Sequence, residues 1–143
     1  MKRRNIMKAI IRNVEATEYN KNAIAYAQTI DFAPLFDHLK AFAKIDCEFQ
    51  TPEIYTSRCG DVHVDFTSDN IVPQTGPFSV ILESCVLASF SNYVVTDKVT
   101  GELRYWVSVS VRYSHLDGGS NGMELCMAEY RDNTWTFRNA GSK

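Results

Sequence analysis

From Leu103 to Ser114 the chain alternates residue by residue between two kinds of side chain. Leu103, Tyr105, Val107, Val109, Val111 and Tyr113 fall on one parity, and Arg104, Trp106, Ser108, Ser110, Arg112 and Ser114 fall on the other. A period of two held this long specifies a β-strand with one dry face and one decorated face. The run leads into Asp117-Gly118-Gly119-Ser120-Asn121-Gly122, residues that accept positive φ or bond to their own backbone, and Met123 to Tyr130 then resumes an extended composition. Residues 102–130 therefore read as a β-hairpin. Its decorated face, with two arginines, a tryptophan and small hydroxyls, is the surface to search for a ligand or partner.

The elements around this hairpin define the fold class. Lys8–Ala16 is short and β-branched and reads as a first strand; Asn20–Ile30 is alanine-rich with an asparagine able to cap, and reads as a short helix. In Asp31–Ile45 the apolar residues Phe32, Leu35, Phe36, Leu39, Phe42 and Ala43 recur at helical spacing, with Asp37, His38, Lys40 and Lys44 on the far side. Asp31 is placed to cap this helix, and Pro34 is tolerated in its first turn. Beyond Asp46 the pattern is strand and turn: Cys47–Ile54, Asp61–Thr67, Phe78–Val95, Leu103–Ser114, Met123–Tyr130 and Thr134–Arg138. Turns are expected at Pro73–Pro77, Asp97–Gly101 and Asp132-Asn133. The expected class is α+β: one or two N-terminal helices on a curved antiparallel sheet of five to six strands, forming a roll or half-barrel. Residues 1–143 read as a single domain, with 1–6 a flexible basic tail.

In element order this resembles the cystatin-like and nuclear-transport-factor-2-like rolls, which implies a pocket between helix and sheet with an Asp–His pair inside. The sharpest polar pattern in the chain is Asp61-Val62-His63-Val64-Asp65-Phe66, which in a strand lines Asp61, His63 and Asp65 along one face. Flanking carboxylates would favour the imidazolium, so this stripe is the candidate for acid–base chemistry or metal binding, against the plainer reading of a solvent-facing strand. The valines and Phe66 are the better core, which weakens the enzyme reading.

No other catalytic signature is present. Cys47, Cys59, Cys85 and Cys126 form no Cys-x-x-Cys pair, and Cys59-x-x-x-His63 has no second pair to complete a zinc site, so reduced, mostly buried thiols are expected. There is no phosphate-binding glycine loop and no nucleophile elbow. No cofactor, metal or disulfide is expected. The start MKRRNIM carries no apolar segment behind its basic residues, and Met7 is an alternative start; neither a signal peptide nor a membrane span is read, and the setting is taken as cytoplasmic.

Charge narrows the partners. The net charge is −2 over 143 residues, and residues 13–100 hold twelve acids against five bases, which disfavours direct nucleic-acid binding. Two functional classes follow. The first is a small acidic non-enzymatic binding protein that occupies a partner protein or sequesters a small anionic ligand. In composition it resembles phage and plasmid accessory proteins that inhibit host defence, such as anti-CRISPR proteins or nucleic-acid mimics. The second is a small-molecule-binding roll or small enzyme using His63 with Asp61 or Asp65. The binding residues expected are Arg104, Trp106, Ser108, Arg112, His115 and Asp117, the last two lying by the glycine-rich turn. Homodimerisation through an exposed strand or the Trp106 face is a further expectation.

Overall fold

The computed structural model describes residues 6–43, 46–70, 82–115 and 120–140. In chain order the elements are β1 (Ile10–Asn13), α1 (Lys21–Thr29), α2 (Ala33–Ala43), β2 (Glu53–Thr56), β3 (Val62–Asp65), β4 (Leu82–Thr96), β5 (Leu103–His115), β6 (Ser120–Arg131) and β7 (Thr134–Asn139). The fold is α+β. Its strands form one open sheet in sequence order from β1 to β7.

Two sequence expectations need correction. Among the described residues the sheet has seven strands rather than five to six, because β1 joins it. It is mixed rather than antiparallel, because β1 pairs parallel with β2, Ile10 opposite Glu53. Both helices intervene between these strands, and a crossover of that length lets two neighbours run the same way. Every later pairing is antiparallel, with short connections. The β6–β7 turn is two residues long, and both Asp132 (φ 51°) and Asn133 (φ 60°) are left-handed, the geometry that matches strand twist. The Pro73–Pro77 turn, residues 78–81 and residues 117–119 of the glycine cluster lie outside the described residues.

The parity of β5 decides what is inside. Tyr105, Val107 and Val109 are fully buried, and the helices cover that face. Phe32, at the entrance to α2, is the hub: its ring lies 5.5–6.0 Å from those of Tyr105, Trp135, Phe36 and Phe66. Three polar tips among these rings find backbone carbonyls. Tyr105 Oη donates to the Val64 carbonyl (2.8 Å), Trp135 Nε1 to the Asp31 carbonyl (2.8 Å), and Tyr26 Oη to the Tyr130 carbonyl (3.0 Å). Asp31 does cap α2, its Oδ1 accepting the Ala33 amide.

Four local expectations shift. Phe42, expected on the buried stripe, is 40% exposed, while His38, expected on the far side, stacks on Phe137 at 3.9 Å and bonds Asn139. Phe42 comes one residue before α2 ends, past the buried Leu35 and Leu39, and β7 covers the His38 side instead. The expected strand Cys47–Ile54 forms only from Glu53, Phe49 making an isolated bridge to Ser68. Asp61 falls outside β3, in the turn that Gly60 makes at φ 87°.

Candidate functional site

The face of the sheet turned away from the helices carries the even residues of β5. Arg104 and Trp106 are half-buried there, Ser108 and Ser110 are buried between larger neighbours, and Arg112 is exposed. Cross-strand register then does something a single strand cannot. Tyr55 of β2 sits opposite His63 of β3, His63 opposite Tyr93 of β4, Tyr93 opposite Trp106 of β5, and Trp106 opposite Glu129 of β6. Directly opposed side chains on one face touch. The rings of Tyr55 and His63 are nearly parallel at 4.9 Å, His63 meets Tyr93 edge-on at 6.2 Å, and Tyr93 meets Trp106 at 5.6 Å.

Ion pairs close both ends of this aromatic row. The Arg12 guanidinium lies 5.2 Å from the Tyr55 ring centre and 2.7 Å from the Glu53 carboxylate, and Arg104 lies 3.7 Å from Glu129. Burial, reinforced by the Asp65 carboxylate, raises the Tyr55 phenol above its ordinary pKa, so the ring stays neutral. Phe90, close by on β4, is 65% exposed.

Phe90 is exposed because it is the extra residue of a β-bulge: Ser89 pairs with Val109 and Ser91 with Ser108, leaving Phe90 opposite nothing. Toward β3 the same distortion interrupts the ladder between the His63–Tyr93 pair and the Phe66–Ser89 backbone bond, and side chains fill the gap. His63 Nδ1 is 3.2 Å from Asn92 Oδ1, Asn92 Nδ2 donates to Ser89 Oγ (2.8 Å), and Ser89 Oγ donates to Asp65 Oδ1 (2.9 Å) while accepting the Phe66 amide (3.1 Å).

The direction of this chain follows from its far end. The Asp65 carboxylate can only accept, so the Ser89 hydroxyl proton is committed to it. Ser89 must then accept from the Asn92 amide nitrogen, which turns the Asn92 carbonyl toward His63. His63 Nδ1 therefore carries a proton and donates. The other ring nitrogen, Nε2, is left with no partner among the described residues.

Two cavities meet at His63. One of about 400 Å³ opens over the bulge, lined by Tyr55, His63, Phe90, Tyr93 and Arg112 among others. The other, about 710 Å³, lies where β4 runs past the start of β3, between Tyr19, Asn20 and Ala23 on one side and His63 and Val94 on the other.

The acid–His–acid stripe is thus only half assembled. His63 and Asp65 share the outer face but communicate through Asn92 and Ser89, and Asp61 is exposed, accepting from Tyr19 Oη (3.1 Å). Neither carboxylate bonds to the imidazole. Among the described residues no three His, Cys, Asp or Glu side chains gather into a metal site, and Cys59 is an exposed free thiol apart from the other three. His115 lies at the end of β5, away from His63, and Asp117 lies outside the described residues. Tyr55, Tyr93, Phe90, Ser89 and Asn92 went unread in the sequence: their role depends on register and on one bulge, which no local pattern announces. No helix of the described residues is long and apolar enough to cross a membrane. No family model matches this chain, and neither a curated protein nor a solved structure matches it.

Proposed function

We propose that this is a non-enzymatic binding protein that acts by occupying a partner protein with the uncovered face of its sheet. The observation that carries this reading is the row Tyr55–His63–Tyr93–Trp106, with Phe90 beside it and ion-paired arginines at both ends. Protein interfaces are built this way, with aromatic anchors at the centre and charged groups at the rim. Nucleic acid suits the face poorly: Arg12 and Arg104 are already paired with Glu53 and Glu129, and Asp65 stands behind the row.

An anti-defence inhibitor of a phage or plasmid is the form of such a protein that the composition favours. Nucleic-acid mimicry draws less support, since many acids have local structural partners: Asp31 caps α2, Asp65 holds Ser89, Asp61 holds Tyr19, and Asp97 organises the β4–β5 turn. Those four carboxylates are committed to local structure, which leaves them less available to imitate a phosphate backbone.

The test is capture of a partner from extracts of the source cell, followed by reconstitution of the purified pair. Central anchors typically contribute about 2 kcal/mol or more when truncated. Trp106→Ala and Tyr93→Ala should each weaken the reconstituted complex by that order, while Val99→Ala in the β4–β5 turn leaves it unchanged. A complex indifferent to both face substitutions would end this reading.

A further inference from the structure

The notch over the Phe90 bulge has the parts of a small-molecule site that the docking face does not require. Its walls are rings: Tyr55, Phe90 and Tyr93. Its cation, Arg112, is exposed and makes no ion pair or hydrogen bond among the described residues, unlike Arg12, Arg104 and Arg131, each held by a glutamate. Its floor is His63, with Nδ1 committed to Asn92 and Nε2 left as an acceptor. The rigidity of that acceptor is itself informative. An imidazole on an open sheet face needs no orientation, yet this one is held by a stacked tyrosine and by a three-bond chain running back to a carboxylate.

We infer that this notch binds a small planar anion that carries an N–H or O–H donor, the ring lying against Phe90 and Tyr93, the anionic group on Arg112 and the donor on His63 Nε2. The volume of about 400 Å³ lies within the range of small-ligand pockets. Aromatic hydroxy acids and nucleoside monophosphates share this chemistry. The chain through Asn92, Ser89 and Asp65 positions His63 by excluding the opposite tautomer, and it holds the acceptor before the ligand arrives.

The notch shares Tyr55, His63, Phe90 and Tyr93 with the docking face, but ligand binding is read on the isolated protein, so failure of one reading leaves the other standing. In ¹⁵N spectra of the ligand-free protein, His63 should carry its proton on Nδ1, and Asn92→Ala should release that preference. Titration with 4-hydroxybenzoate and, separately, with adenosine 5′-monophosphate should give saturable binding to at least one, with the His63 Nε2 resonance moving; the two arms separate an aromatic acid from a nucleotide. Benzoate, which lacks the donor, and phenol, which lacks the anion, should bind about tenfold more weakly or worse than 4-hydroxybenzoate if that arm binds. His63→Phe, which keeps the stack on Tyr55, and Arg112→Gln at an exposed position should each weaken the bound probe by a similar factor. A proton on Nε2 in the free protein, no response to either probe at millimolar concentration, or binding that survives both substitutions would overturn the inference.

Discussion

The two faces of the sheet are both rich in aromatic rings, and they use them differently. On the inner face Phe32 is surrounded by four rings and fully buried, and the polar tips of Tyr105 and Trp135 reach backbone carbonyls. On the outer face the rings line up in a single row with one side open, and Tyr93 and Phe90 are 38% and 65% exposed. Inner rings make contacts in every direction, so their loss leaves a void. Outer rings touch only cross-strand neighbours, so their contact area is still available. Aromatic content alone does not distinguish a core from a binding face; whether a second layer covers the rings does.

The sharpest way to break this contrast is to truncate one ring on each side. Phe32→Ala should destabilise the protein by about 3–5 kcal/mol through lost burial and a residual cavity. Trp106→Ala should cost about 2 kcal/mol, the loss of a partly buried ring's area together with its aromatic pair. Chemical denaturation of both variants gives the comparison directly, and similar losses would mean that the outer row is structural.

Ser89→Ala tests where the two faces meet. It strands the Phe66 amide and removes the link between Asn92 and Asp65, which should cost about 1–3 kcal/mol. Tyr105→Phe, which removes one buried bond to the Val64 carbonyl without leaving a void, should cost about 1 kcal/mol. The distinguishing readout is the His63 tautomer: Ser89→Ala should disturb it and Tyr105→Phe should not. Equal effects on His63 would show that the chain transmits only general loosening.

These outcomes bear on how far the sequence could be read. The parity of 103–113 separated a dry face with Tyr105, Val107 and Val109 from a decorated face with Arg104, Trp106 and Arg112, because a strand half-buried along its whole length displays its period in the residues themselves. Whether the decorated face lined a cavity or looked outward was not legible, since that depends on which side the helices cover. The parallel β1–β2 pair was not legible, since strand direction depends on the path of the intervening helices. His63 was singled out for the wrong neighbours. Asp61 and Asp65 flank it in sequence, but Asn92, twenty-nine positions away, bonds its ring. A β-bulge shifts every pairing beyond it by one residue, and nothing in Ser89-Phe90-Ser91 marks which residue is the extra one.

The smallest effect concerns the seam between α1 and the inner face. Burial, with contributions from Tyr130 and nearby acids, pushes the Tyr26 phenol up to about 12 from an ordinary 10.0. A phenol whose pKa is raised on folding contributes stability that is complete below pH 10.0 and is lost as pH climbs toward 12, because the unfolded chain releases its proton first. Tyr26 is only partly buried, so solvent screening keeps the contribution modest. Tyr26→Phe removes both the titration and the bond to the Tyr130 carbonyl. Thermal melts across this interval should therefore fall more steeply for the native chain than for Tyr26→Phe, the two converging at the alkaline end. Parallel curves would show that the seam stays hydrated, and that the dry inner face stops short of α1.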